Sequence, residues 1–152
     1  MFTNQQTIKF LFFLFCFSIF SSIAQTNEDV PLNNMAINET PKPISSIIFE
    51  DLSGNEINLK HYTGKLIIIN FWATWCAPCK KEMPSLDKLY QAKNFKNLQV
   101  FAVNMEQPNT LKTKKFFSDL NIKKLKIFFD PNINFVKEFK LKGVPTTVLI
   151  NI

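Results

Sequence analysis

The sequence contains no arginine, and its 18 basic residues are lysines spread along a chain of 152 residues. Nucleic-acid interfaces typically use arginine forks or a concentrated basic stripe, so we expect no nucleic-acid partner. Histidine is almost as scarce, since His61 is the only one. A zinc site built on Cys76 and Cys79 would need two more ligands, and His61 with Cys16 is an implausible pair. We therefore expect no metal site.

The first 24 residues have the layout of an export signal. Lys9 precedes an apolar run over residues 10–20, and Ser22 and Ala24 are small residues that fit a cleavage site. The run is short for a membrane span, which needs about 20 apolar residues. Residues 1–24 are therefore predicted to be a signal peptide, with an uncleaved membrane anchor as the alternative.

The segment that follows, residues 25–43, contains Pro31, Pro41 and Pro43 and shows no apolar period. This composition predicts a linker. Folding should then begin near Ile44, and the rest of the chain is enough for one domain.

The centre of the sequence is a pair of cysteines, Cys76 and Cys79, at the start of a predicted helix. An apolar run that begins at Leu66 reads as a buried strand, and a short turn separates it from Cys76. Unpaired N–H groups and the helix dipole stabilise a thiolate at the first cysteine, and the second lies one turn further on. Pro78 fits the first helical turn. The pattern favours redox chemistry over half a zinc site.

Apolar periodicity predicts an α/β sandwich with parallel strand pairs at its centre. Residues 47–52 and 57–59 read as a β-hairpin before the central strand. The later elements are a helix from Cys76 to about Lys93, a strand over 98–104, a helix that ends near Leu120, a strand over 125–129, a helix after residues 130–132 and a last strand after Pro145. We expect Leu111, Phe116, Phe117 and Leu120 on the inner side of the second helix, and Asp87 away from the apolar face of the first.

The stretch from Asn70 to Cys79, Asn-Phe-Trp-Ala-Thr-Trp-Cys-Ala-Pro-Cys, followed by Lys-Lys-Glu-Met-Pro, resembles the thioredoxin superfamily, and within it the TlpA/ResA-like branch of exported thiol–disulfide oxidoreductases. The resemblance implies a thioredoxin-like three-layer sandwich over residues 44–152 with an added N-terminal hairpin. It also implies that the last strand and helix of that fold are missing, which would leave one face and one edge of the sheet under-covered.

The same resemblance assigns roles to other residues. Val144 and Pro145 match the family's cis-proline loop, whose backbone pairs with the substrate chain. Asn70 replaces the buried aspartate of thioredoxin, and Glu82 matches a glutamate of the TlpA/ResA-like branch that accepts a proton near the second cysteine. The alternative for Glu82 is a solvated helix charge. Trp75 would belong to the docking surface, where Ala77 and Pro78 lie between the cysteines.

The activity implied is reduction of disulfides in exported proteins by dithiol exchange, with Cys76 as nucleophile and Cys79 as resolving thiol. No metal or organic cofactor is required. We expect an exported, periplasmic or extracytoplasmic location, with anchoring to the inner membrane as the alternative to release. A membrane thiol-transfer protein would supply electrons there, and apocytochrome c is the first substrate we would test. The alternatives are a disulfide oxidant or isomerase with the same site, a peroxiredoxin-like thiol peroxidase, and a non-enzymatic thioredoxin-fold scaffold.

Overall fold

The computed structural model describes residues 46–92 and 94–151. The predicted signal or anchor (1–24) and linker (25–43) lie outside these residues. The strands are β1 (Ile48–Asp51), β2 (Glu56–Asn58), β3 (Leu66–Trp72), β4 (Leu98–Asn104), β5 (Ile127–Phe129) and β6 (Thr146–Asn151), and the α-helices are α1 (Ala77–Gln91), α2 (Thr110–Asp119) and α3 (Asn134–Phe139). Within the described part of the chain, no helix combines the length and apolar character needed to cross a membrane.

The strands form one six-stranded sheet in the order β2-β1-β5-β4-β3-β6. Strand β4 is parallel to both β3 and β5, whereas β6 pairs antiparallel with β3. The hairpin β1–β2 joins the sheet through antiparallel pairing of β1 with β5. The predicted α/β sandwich, with parallel pairs at its centre and an N-terminal hairpin, is therefore confirmed.

Helices cover both faces of the sheet, which makes three layers. On one face, α1 and α2 pack through Cys79, Met83, Phe116 and Phe117 against sheet residues that include Trp72, Val100 and Phe129. On the other face, Phe135 of α3 joins a cluster that includes Phe49, Phe71 and Phe101. The central strands alternate between two buried faces, which explains why their sequences are almost continuously apolar.

Helix α2 corrects one part of the predicted packing. Leu111, expected on the inner side, is 83% exposed, whereas Thr113 is buried. The helix begins at Thr110 with Asn109 as its N-cap, so Thr113, Phe116 and Phe117 share the inner stripe at i, i+3 and i+4. Leu111, two residues before Thr113, is turned about 200° away because successive helical residues are about 100° apart.

The prediction for Asp87 is also wrong, because its side chain is 5% exposed. Its carboxylate accepts hydrogen bonds from the backbone N–H groups of Lys123, Lys124 and Leu125, at 3.1, 2.9 and 2.7 Å. Burial by itself raises the pKa of Asp87, but these N–H donors and the Lys123 charge outweigh it, so its pKa lies below the ordinary value. Asp87 therefore fastens α1 to the loop that leads into β5.

Candidate active site

The two cysteines lie where β3 has ended and α1 begins. Cys76 is the N-cap of α1, and its Sγ accepts a hydrogen bond from the backbone N–H of Cys79 at 3.2 Å. A disulfide joins the two residues, with an S–S distance of 2.04 Å. Cys76 is 3% exposed and Cys79 is fully buried. After reduction, the same N–H group and the start of the helix would stabilise a thiolate on Cys76.

An exposed surface surrounds the buried pair. Trp75 is 69% exposed, and both Ala77 and Pro78 are exposed in the first turn of α1. Pro78 is tolerated there because the first N–H groups of a helix have no intrahelical acceptor. The residues assigned to substrate docking are thus next to Cys76 and accessible to a partner.

The Val144–Pro145 loop lies at the same end of the sheet. The peptide bond between these residues is cis, as the resemblance implied. Strand β6 follows directly, and the pairing of Thr146 with Phe71 aligns the loop with the end of β3 that leads to the cysteines. Val144 also packs against the apolar cluster that contains Cys76 and Cys79. Both predicted motifs therefore converge on one side of the molecule.

A polar network connects β3, α1 and β6. Asn70 on β3 is fully buried, and its Nδ2 donates hydrogen bonds to Glu82 Oε1 at 2.8 Å and to Thr147 Oγ1 at 3.0 Å. Glu82 is half-buried on α1, three residues after Cys79. The Oδ1 atom of Asn70 is buried and has no hydrogen-bond partner within the described residues. Glu82 is thus half-buried and held by the buried Asn70 amide, and is not a fully solvated helix charge.

The turn before Cys76 is held by a carboxylate that the sequence analysis missed. Glu106 accepts hydrogen bonds from the N–H and Oγ1–H of Thr74, at 2.6 and 3.0 Å, and from the Lys112 ammonium at 2.6 Å. Burial by itself raises the pKa of Glu106, but the bonds from Lys112 and Thr74 outweigh it, so its pKa lies below the ordinary value. The sequence did contain one indication of this role: Glu106 follows closely after a parallel strand, and in α/β sheets the loops at the carboxyl ends of the strands line the functional site.

Two further residues, Trp72 and His61, lie in contrasting surroundings. Trp72 is fully buried, and its ring stacks on Phe116 with a centroid distance of 4.6 Å. His61 is exposed in a short 3-10 helix between β2 and β3. Among residues 46–92 and 94–151, no three His, Cys, Asp or Glu side chains are grouped so that they could hold a metal ion.

Comparison with known proteins places this arrangement in a family. The family model described as "AhpC/TSA family" matches residues 40–152. The chain belongs to the AhpC/TSA family. Its fold is thioredoxin-like, since the crystal structure of StoA from Bacillus subtilis superimposes with a TM-score of 0.60 at 26% identity, covering 73% of this chain and 83% of that one.

Two relatives carry the name thiol-disulfide oxidoreductase ResA. The protein from Halalkalibacterium halodurans is 35% identical over 106 residues, which cover 70% of this chain and 59% of the relative. The protein from Bacillus thuringiensis subsp. konkukian is 31% identical over 113 residues, covering 74% of this chain and 64% of the relative. The matched part of this chain thus spans less than two thirds of the length of these relatives.

Proposed function

We propose that this chain is an enzyme of thiol–disulfide exchange, with Cys76 as the nucleophile and Cys79 as the resolving thiol. The observation that carries the proposal is the N-cap position of Cys76, whose Sγ already accepts the Cys79 N–H. A thiolate at this position gains both a hydrogen bond and the favourable end of the helix dipole. The name thiol-disulfide oxidoreductase, which the ResA relatives carry, agrees with this chemistry.

The reaction starts from the reduced pair. The Cys76 thiolate attacks one sulfur of a substrate disulfide, forms a mixed disulfide and releases the other substrate sulfur as a thiolate, which takes a proton. Cys79 then loses its proton and attacks Cys76 Sγ, so that the second substrate sulfur leaves. The substrate gains two electrons and two protons, and the Cys76–Cys79 disulfide is formed.

We assign Glu82 as the group that accepts the proton of the Cys79 thiol. It lies one helical turn from Cys79, and its Oε1 is held by Asn70. A carboxylate in this position can accept the thiol proton directly or through one water molecule. Trp75, Ala77 and Pro78 would contact the substrate beside Cys76, and the backbone at Val144 and Pro145 would pair with the substrate chain.

The direction that we propose is reduction of disulfides in exported proteins. It is supported by the signal-like segment over residues 1–24 and by the resemblance to the TlpA/ResA-like branch. A membrane thiol-transfer protein would return electrons to the oxidised pair, with residues 1–24 either removed or retained as an anchor. Oxidation or isomerisation would use the same residues with a higher reduction potential.

One contact argues against the peroxidase alternative. A peroxiredoxin-like site would place a threonine shortly before a single reactive cysteine, and Thr74 has that spacing. The Thr74 hydroxyl has one proton, and it donates that proton to Glu106. In this arrangement the hydroxyl proton is directed to Glu106 and not to Cys76, and Cys79 supplies a CxxC partner that the peroxidase pattern lacks.

The test is reduction of a protein disulfide by the full chain, with Cys76→Ser, Cys79→Ser and Cys16→Ser compared. We expect no turnover with Cys76→Ser, an accumulated mixed disulfide with Cys79→Ser and unchanged rates with Cys16→Ser. Full turnover by Cys76→Ser would refute the assignment. Equilibration of the pair against glutathione then decides the direction, because a potential well below that of glutathione identifies a reductant.

A further inference from the structure

Glu106 connects three elements at the cysteine pair. It lies in the loop after β4, where its own N–H donates to Asn104 Oδ1 at 2.7 Å. Its carboxylate reaches across to Thr74 in the turn before α1, and it receives Lys112 from α2. The Glu106 side chain is 20% exposed, and Thr74 is buried. A partly buried carboxylate with charge-assisted bonds to two other elements fixes their relative positions more firmly than neutral bonds would.

The turn from Ala73 to Trp75 depends strongly on this carboxylate. The N–H of Cys76 closes the turn by donating to the carbonyl of Ala73 at 3.2 Å. The N–H and the hydroxyl of Thr74 both point to Glu106, at 2.6 and 3.0 Å. Loss of these two bonds would leave Thr74 with an unpaired buried N–H, which is costly, so the turn would rearrange.

We propose that Glu106 is a positioning residue, which through Thr74 holds the active-site turn so that Cys76 Sγ stays at the N-cap of α1. The inference rests on the proposed function. Glu106 does not take part in exchange itself; it keeps Cys76 where the Cys79 N–H and the helix start stabilise its thiolate. Lys112 neutralises the carboxylate, so that its negative charge does not oppose the thiolate two residues from Thr74.

The experiment measures the reactivity of Cys76 in the reduced full chain by iodoacetamide alkylation at neutral pH, with Cys79→Ser and Cys16→Ser in every variant so that a single thiol reacts. We expect Glu106→Ala to slow alkylation about fivefold, which is the size of one lost N-cap interaction. Glu106→Gln keeps one acceptor for Thr74 and should slow it about twofold, a partial rescue. Thr74→Val, which removes the hydroxyl alone, should resemble Glu106→Gln.

The matched control is Asp119→Asn, which breaks an exposed pair with Lys115 on α2 and should leave alkylation unchanged. Amide hydrogen exchange of Thr74 provides the second readout, and it should become faster in Glu106→Ala than in the control. Thermal melting identifies a variant that fails to fold, in which case Glu106→Gln and Thr74→Val decide the question.

Unchanged alkylation in folded Glu106→Ala would overturn the proposal. Faster alkylation would overturn it as well, because Glu106 would then act through its charge and not through position. Alkylation does not require disulfide exchange, so failure of this inference can be told apart from failure of the proposed function. The proposed function fails if the wild-type chain does not reduce protein disulfides.

Discussion

Helix α1 carries two carboxylates, Glu82 and Asp87, in very different surroundings. Asp87 is buried and accepts three backbone N–H groups from the loop before β5, together with the side chain of Gln91. Glu82 is half-buried, and among the described residues its hydrogen-bond donor is the Asn70 amide. The two side chains lie on the same helix, but in the described part of the chain neighbouring segments provide several hydrogen-bond donors to Asp87 and one to Glu82.

The difference separates a structural carboxylate, Asp87, from the one that we propose to be reactive, Glu82. When several N–H groups donate to a carboxylate, they stabilise its charged form, and the carboxylate is then poorly placed to exchange a proton. A carboxylate with free acceptor capacity, close to a thiol that must lose a proton, can take part in the reaction. We therefore expect changes at Asp87 to affect stability, and changes at Glu82 to affect exchange.

The largest effect should come from Asp87→Asn. The amide keeps one acceptor but turns an NH₂ group toward backbone N–H donors, so we expect a loss of about 2–4 kcal/mol in the free energy of unfolding. Urea denaturation of the oxidised chain measures it. The exposed control Asp119→Asn should cost less than about 1 kcal/mol. Equal losses in the two variants would show that the Asp87 contacts are not stabilising.

Glu82→Gln should affect the reaction more than the fold. The amide keeps the contact with Asn70 possible but cannot accept a proton, so we expect exchange to slow by about tenfold or more. The free energy of unfolding should change by less than about 1 kcal/mol. Single-turnover reduction of a protein disulfide across pH gives the rate. A pH–rate profile equal to that of the wild type would return Glu82 to the status of a helix surface charge.

Asp87 should also make stability depend on acid pH. Its pKa is lower in the folded chain than in the unfolded one, so its contribution is fully present above the unfolded value of about 3.9. It is lost as the pH falls through the folded value, because the unfolded state binds the proton first. The difference in unfolding free energy between wild type and Asp87→Asn should therefore shrink as the pH falls from 5 towards 2. A constant difference over that range would contradict the assignment.

The smallest effect is expected from Thr147→Val. The substitution removes the acceptor for one of the two hydrogen bonds of the Asn70 amide and leaves the bond to Glu82 in place. We expect a loss of about 1 kcal/mol in stability, with exchange rates within about twofold of the wild type. If exchange slowed as much as in Glu82→Gln, the result would show that Thr147 contributes to the reaction and not only to stability.

Much of the fold could be predicted because its signals are local. The apolar run from Leu66 predicted β3, and the spacing of Cys76, Pro78 and Cys79 predicted the start of α1. Element ends were less accurate: α1 ends at Gln91, two residues before the predicted Lys93, and the strand expected over 125–129 covers Ile127–Phe129. The last turn of a helix and the first residues of a strand depend on contacts more than on their own residue types.

The features of the candidate site also divide into those with local sequence signals and those that depend on distant contacts. The sequence by itself determined the cysteine pair at a helix start, because a short spacing and residue types carry that feature, and its resemblance to a family indicated the loop at Pro145. Only the tertiary structure decided that Glu106 meets Thr74, 32 residues earlier in the chain, and that Asp87 meets Leu125, 38 residues later. An acidic residue on a helix or in a loop has the same local pattern whether it faces water or a buried N–H group, and packing of distant segments makes that choice.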